Sequence, residues 1–247
     1  MNALSVTVLG CSGTYAAAGE ACSGYLVQSA TTSLWVDCGP GTLANLQEHV
    51  DLENLDAIVV SHHHPDHCAE LPVVYNAVKY FTECATLKIL TTVGVQRVTD
   101  SFHPDGDSSD LFEWEIVEDR AVSVVGDIMI RFSRTDHPVE TLAMSFTLGD
   151  KSIFYTADTG PNWSLSNLGR NPSLVLGEGT LTETTNDLRI PHICCSHLAS
   201  EASKVEADRL VVTHIPPNSD KSVHLAEAEM AFSGIVDLAA TGSTFTV

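Results

Sequence analysis

Residues 61–67 read SHHHPDH, and the run before them, LDAIVV (55–60), is apolar and β-branched. Such a run reads as a buried strand. Side chains alternate on an extended backbone, so His62 and His64 point one way and His63 the other. Pro65 ends the strand and suits a turn, and Asp66 fits the N-cap of a following helix. The turn brings Asp66 and His67 back beside His62 and His64, which leaves His63 as the odd one out. The effective pattern is His-x-His-x-Asp-His. A plain surface or core histidine cluster is the alternative, but clustered imidazoles repel when protonated and are costly to bury unpaired. Metal binding supplies a reason for them.

The surrounding chain of 247 residues fits one α/β domain, 1–247, with 44% hydrophobic residues. Short strands are expected at 4–9, 24–28, 33–37, 56–60, 87–91, 122–125, 128–134, 142–147, 152–156, 173–176 and 209–213. Helices are expected near 41–49, 66–80, 93–101, 199–206 and 222–232. Two echoes link the halves. DAIVVSH (56–62) resembles DRLVVTH (208–214), and SLWVDCGP (33–40) resembles SIFYTADTGP (152–161). Their common order points to two similar halves, each with a sheet, and to one site drawing ligands from strand ends of both. The opening MNALSVTVLG lacks a basic region and reads as strand, not as a secretion signal. No apolar run is long enough to span a membrane. Seven cysteines, none in a CxxC pair, fit reduced thiols in a cytoplasmic protein, with Cys194 and Cys195 as buried filler.

SHHHPDH resembles the signature of the metallo-β-lactamase superfamily, and further pieces follow in that family's order. They are TVLGCSGT (7–14), VDCGPGTL (36–43), DHP (136–138), YTADTG (155–160) and VVTHIPP (211–217). SHLASEAS (196–203) resembles the extra histidine motif of the ribonuclease Z and cyclic-nucleotide phosphodiesterase branch. The resemblance covers nearly the whole chain. It implies a four-layer αββα sandwich with a dinuclear metal site at the edge of the two sheets. Carried over residue by residue, it gives one metal His62, His64 and His137, gives the second Asp66, His67 and His214, and makes Asp158 the bridge. A site of nitrogen and oxygen donors suits two Zn²⁺ ions per chain, and Mn²⁺ or Fe²⁺ as well. The resemblance also implies that His197 assists the leaving oxygen, and homodimers are a property of that branch.

Two cations ~3.5–4 Å apart clamp attacking and leaving oxygens and yield hydroxide near neutral pH, which suits attack at phosphorus. Asp66 is placed to hold the nucleophile while ligating, and His197 to protonate the leaving group. Glu178, at the end of LVLGE, either orients His197 or is an ordinary exposed glutamate. Asp37 lies behind the ligands and fixes the 62–67 loop, or simply forms the Asp-Cys-Gly-Pro turn. His49, His103, His192 and His224 fit no ligand pattern and read as solvated. Tyr75, Tyr80 and Phe81 either pack or wall a pocket.

Twelve basic against thirty-two acidic residues give a net charge of −20. Such a surface repels phosphate backbones. The interval from His137 to Asp158 is one hairpin carrying a single lysine, with no room for a protruding RNA-binding arm. The expected function is therefore hydrolysis of small phosphodiesters, cyclic nucleotides foremost. A ribonuclease Z-like tRNA 3′-processing nuclease is the alternative. A lactonase or other ester hydrolase, and a non-enzymatic metal-binding module, stand further off.

Overall fold

The computed structural model describes residues 3–83, 86–103, 105–185, 187 and 189–247. Apolar runs that are buried on both faces make the centre of each sheet. The first sheet contains β1 (Ser5–Gly10), β2 (Gly24–Gln28), β3 (Ser33–Val36), β4 (Ala57–Val60), β5 (Leu87–Thr91) and β6 (Phe112–Ile116). The second contains β7 (Val122–Val125), β8 (Ile128–Arg134), β9 (Leu142–Leu148), β10 (Lys151–Tyr155), β11 (Leu174–Glu178), β12 (Arg209–Thr213) and β13 (Ile235–Leu238). The last strand, β14 (Thr244–Thr246), returns to pair with β1, so each sheet has seven strands in a simple neighbour order.

Ala57 and Val59 of β4 face the layer between the sheets, where they join Ile130, Met144, Leu176 and Val211. Ile58 and Val60 face outward against α3 (Leu71–Phe81) and its neighbours α1 (Thr42–Leu46), α2 (Pro65–Cys68) and α4 (Val93–Asp100). On the other side Leu210 and Val212 pack beneath α5 (Cys195–Lys204) and α6 (Lys221–Ala231). The result is the expected four-layer αββα sandwich. Alternate residues of one strand enter two different cores, which is why these strands are apolar throughout.

Three strands were not anticipated: β6, β13 and β14. They lie at sheet edges, and β6 interleaves glutamates with its apolar residues (FEWEI), so none has a buried-strand pattern. The helix expected over 66–80 is two pieces, because the chain turns at Ala69–Glu70 and restarts with Pro72 in its first turn. The cap of α2 is His64, with Pro65 as the first helical residue, and not Asp66.

The two sheets share one pairing pattern. From β1 to β6, and from β8 to β13, the pairs run antiparallel, antiparallel, then parallel three times. The Asp-x-Gly-Pro turns follow β3 and β10, which hold equivalent places. The strand–histidine echo does not survive that test. DAIVVSH is β4, beside β3, whereas DRLVVTH is β12, separated from β10 by β11. Those two segments are alike because each is a parallel strand buried on both faces that ends at the same rim.

Candidate metal centre

The carboxyl ends of β3, β4, β10, β11 and β12 meet at one edge of the sandwich and deliver Asp37, His62, Asp158, Glu178 and His214. The chain leaves β3 and β12 through non-glycine residues in the left-handed region, Asp37 (φ 58°) and His214 (φ 58°), and passes Ala157 (φ 49°) before Asp158. Such backbone is uncommon and clusters at functional sites. Close approach of the loops needs glycine at two points. A Cβ on Gly39 would lie 2.1 Å from the Asp66 carbonyl oxygen, and one on Gly13 would lie 2.4 Å from that of His214.

Two sets of donor atoms face inward. In the first, His64 Nδ1 is 3.1 Å from both His62 Nε2 and His137 Nε2, and Asp158 Oδ2 is 3.5 Å from His62 and 3.9 Å from His137. In the second, His214 Nε2 is 3.2 Å from Asp66 Oδ2 and 3.3 Å from His67 Nε2. Asp158 Oδ1 completes it, 3.2 Å from His67 and 3.5 Å from His214. One oxygen of Asp158 thus faces each set.

These residues fit divalent cations. Donors about 2.0–2.2 Å from a tetrahedral ion stand roughly 3.3–3.6 Å from each other, close to the spacings here. Asp158 Oδ1 is buried and accepts no hydrogen bond, which leaves its lone pairs for another partner. Burial drives His62 well below the ordinary imidazole range and lowers His64 and His137, so all three present neutral nitrogens. Burial opposes charge on Asp158 too, but His214 and His67 outweigh it and hold the carboxyl well below its usual range. On His67 burial works against protonation, yet Asp158 and Asp37 prevail and keep it protonated well above its ordinary value. A cation at that position takes the place of the proton.

Behind the donors stand two carboxylates. His67 Nδ1 donates to Asp37 Oδ2 (2.7 Å), and Asp37 is wholly buried. Glu178, also buried, accepts from the Thr180 hydroxyl (2.5 Å), and Thr180 Oγ1 accepts from His214 Nδ1 (2.8 Å). Glu178 further accepts from the Thr159 amide (2.5 Å). His137 Nδ1 donates to the Pro191 carbonyl (3.2 Å). Each such bond fixes which ring nitrogen faces the centre.

The structure brings His62, His64, Asp66, His67, His137, Asp158 and His214 together and places Asp37 behind them. His63 turns away, with its ring against Gly94. The expectation for Glu178 is corrected. Its carboxylate holds His192 Nδ1 (3.0 Å), and not His197, whose side chain has no hydrogen-bond partner among the described residues. His192 was read as solvated. It is instead 13% exposed, with its ring 5.5 Å from that of His137 and 5.4 Å from that of His214. Burial lowers its affinity for a proton, but Glu178 outweighs this and pushes the pKa up to about 9. The only sequence signal was its place five residues before His197 in a polar segment, which carries no periodicity.

His224 is also buried, with Nδ1 donating to the Gly179 carbonyl at 2.7 Å, and His103 stacks on Tyr75 at 3.9 Å. Only His49 is exposed. Tyr75 packs in the outer core, while Tyr80 and Phe81 are exposed, and none of the three lines the cavity at the centre. Six cysteines are buried and form no disulfide, and Cys84 lies outside the described residues. Among the described residues no helix is long and apolar enough to cross a membrane.

A cavity of about 560 Å³ opens beside the donors. His137, His192 and His197 line it together with Pro138, Ile190 and Ile193, and no described lysine or arginine does. Removing His63 should leave any bound metal in place, since its ring faces Gly94. Removing His64 should cost at least one ion per chain. Elemental analysis of His63→Ala and His64→Ala, each purified with metal, decides this; equal loss from both would contradict the geometry.

The fold and this rim of histidines and aspartates define a class, and the chain belongs to it. Residues 32–215 match the β-lactamase superfamily domain, so this is a member of that superfamily with the metallo-β-lactamase fold. A probable metallo-hydrolase, YhfI of Bacillus subtilis (strain 168), is 31% identical over 97% of this chain and 98% of its own. The crystal structure of that metallo-β-lactamase fold protein superposes with a TM-score of 0.90, covering all of both chains at 29% identity. The short form of human tRNase Z (TM-score 0.77, 18% identity, 98% of each chain) shares the fold. So does a diphosphatase of the PhnP family (TM-score 0.77, 18% identity, 100% of this chain and 98% of the other).

Proposed function

We propose that this protein is a metal-dependent hydrolase of small phosphodiesters, with cyclic nucleotides as the foremost substrates. The observation that carries the reading is Asp158, whose two oxygens face separate donor sets, with His137 of the first set lining a cavity to which no described lysine or arginine contributes. His62, His64 and His137 would hold one divalent ion, Asp66, His67 and His214 a second, with Asp158 shared. Zinc suits this donor set, and manganese or iron(II) is compatible with it. Bound there, the pair supplies Lewis acidity and lowers the pKa of water into the neutral range.

The chain's own groups do the rest. Asp66 is fixed by the Thr14 amide on Oδ2 (2.9 Å), which keeps its carboxylate at the rim beside the place where the nucleophile must sit. Glu178 holds His192 by Nδ1 and so directs its other nitrogen away from Glu178, with the ring lining the cavity beside the imidazole of His137. We assign the proton for the leaving oxygen to this His192–Glu178 pair. His197, the donor expected from sequence, lines the same cavity without an anchoring partner. The apolar walls from Pro138, Ile190 and Ile193 suit a nucleoside better than a second phosphate.

The nuclease alternative needs a basic track. The segment between His137 and Asp158 is the β9–β10 hairpin with its turn at Gly149–Asp150 and nothing longer. A protein gripping precursor tRNA through several phosphate contacts would show a salt slope of about −0.7 per contact on single strands. Weak binding of precursor tRNA with little salt dependence is expected here, measured by titration between low and moderate salt. The decisive assay is a panel of cyclic nucleotides, bis(p-nitrophenyl) phosphate, a precursor tRNA and a lactone, run on metal-loaded protein. Tight, strongly salt-dependent tRNA binding with cleavage at its 3′ side would sink the small-substrate reading.

A further inference from the structure

Asp37 is bonded to more than His67. Its Oδ1 accepts from the Ser61 amide (2.7 Å), and its Oδ2 accepts from the Ser61 hydroxyl (2.9 Å) and from the Tyr155 hydroxyl (2.6 Å). The Ser61 oxygen in turn lies 2.9 Å from His62 Nδ1. With Nε2 of His62 turned to the first donor set, its Nδ1 carries the hydrogen and donates to Ser61, whose own proton goes on to Asp37. His67, from the second set, reaches the same carboxylate directly. Asp37, Ser61, His62 and His67 are all fully buried and Tyr155 nearly so, so bulk water does not compete for these bonds. Tyr155 comes from β10 of the second sheet and Asp37 from the end of β3 in the first, so the contact also locks the two halves at the rim.

We propose that Asp37 is a common anchor for both metal positions, with Ser61 as the positioning residue that connects His62 to it and Tyr155 as the positioning residue that fixes its carboxylate. The proposal rests on the two-ion reading above. Each metal position contains one imidazole whose ring orientation and tautomer depend on this single carboxylate. The ions are therefore held by a shared support, and a change at Asp37 is felt at both. A support of the ordinary kind serves one ligand, and its loss weakens one ion.

The test is stepwise metal affinity, measured with zinc against a chromophoric chelator on the full-length chain, with circular dichroism of each metal-free variant as the check on folding. Wild type should show two dissociation constants. Loss of an outer hydrogen-bond partner typically weakens metal binding ~10–100-fold. Ser61→Ala should raise the first position's constant by that factor and the second's by less, because His62 loses its link while Asp37 loses only one of its donors, and Ser61→Thr, which keeps the hydroxyl, should restore both. Asp37→Asn and Tyr155→Phe should raise both constants together. Tyr25→Phe is the control. Its equally buried hydroxyl bonds Thr213 (2.7 Å) and its ring stacks 5.1 Å from Tyr155, so it perturbs the same packing without touching Asp37. It should leave both constants unchanged.

In a His214→Ala background, which keeps only the first position, Ser61→Ala should still weaken zinc. In a His64→Ala background it should weaken zinc less. Wild type that binds no zinc overturns the two-ion reading and this proposal with it. Wild type with two ions overturns the anchor alone if Asp37→Asn or Tyr155→Phe weakens only one of them, if Ser61→Ala matches wild type, or if Tyr25→Phe behaves like Tyr155→Phe.

Discussion

Asp158→Asn is expected to empty both metal positions and to slow hydrolysis ~10³-fold. The substitution keeps the shape of the side chain and removes its charge. Among the described residues only Asp158 has an oxygen toward each donor set, and its Oδ1 is buried without a hydrogen-bond donor. Of the six other proposed ligands, Asp66 is the sole carboxylate beside the imidazoles of His62, His64, His67, His137 and His214, so two dications would face one compensating charge in a buried site. Two-metal clamping contributes several kcal/mol of transition-state stabilisation. Taken as about 4 kcal/mol, its loss lowers the rate ~10³-fold, at 1.36 kcal/mol per decade. Elemental analysis and rates on bis(p-nitrophenyl) phosphate are the measurements. A variant that retains two ions per chain shows that Asp158 is not shared. One that retains a single ion assigns it to one position.

The second large effect separates metal holding from proton delivery. His192→Ala should leave metal content and fold unchanged if its role is proton delivery, although a ring nitrogen of His192, anchored to Glu178, also stands within 4.8 Å of the Asp158 and His214 donor atoms. Loss of a positioned general acid costs ~10²–10⁴ in rate when the leaving oxygen needs a proton. A ribose oxygen needs one, whereas p-nitrophenolate is already stable as an anion near neutral pH. The variant should therefore lose far more activity on a cyclic nucleotide than on bis(p-nitrophenyl) phosphate. Glu178 raises the proton affinity of His192 above the ordinary imidazole range, which favours the protonated form that a donor needs. His197→Ala, measured alongside, should lower both substrates by a similar and smaller factor. If the substrate-dependent loss follows His197 and not His192, the donor is His197 and the Glu178 pairing is structural. If His192→Ala loses metal, it is a ligand.

The two assignments differ in how they could be reached. His62, His64, Asp66 and His67 lie within six residues, and backbone geometry relates them: alternation separates His63, and the turn at Pro65 folds Asp66 and His67 back. The likeness of LDAIVV to a strand buried on both faces also needed no coordinates, whereas the αββα layering was implied by the resemblance of the motifs to the superfamily. His137, Asp158 and His214 were reached by motif order, since nothing local in DHP or YTADTG places them beside residue 62. Edge strands β6, β13 and β14 escaped because an edge buries too little to impose an apolar period.

Local sequence therefore determined the elements whose side chains meet within one turn or one strand, where covalent geometry dictates the spacing. The tertiary structure alone decided which histidine Glu178 holds. Glu178 ends β11 and His192 lies in the irregular segment before α5, so their contact depends on where that segment packs over the rim. It likewise decided that Tyr155 and Ser61 meet on Asp37. These are side chains from three strand ends in two sheets, and their 2.6–2.9 Å bonds exist only once both sheets are stacked and water is excluded between them.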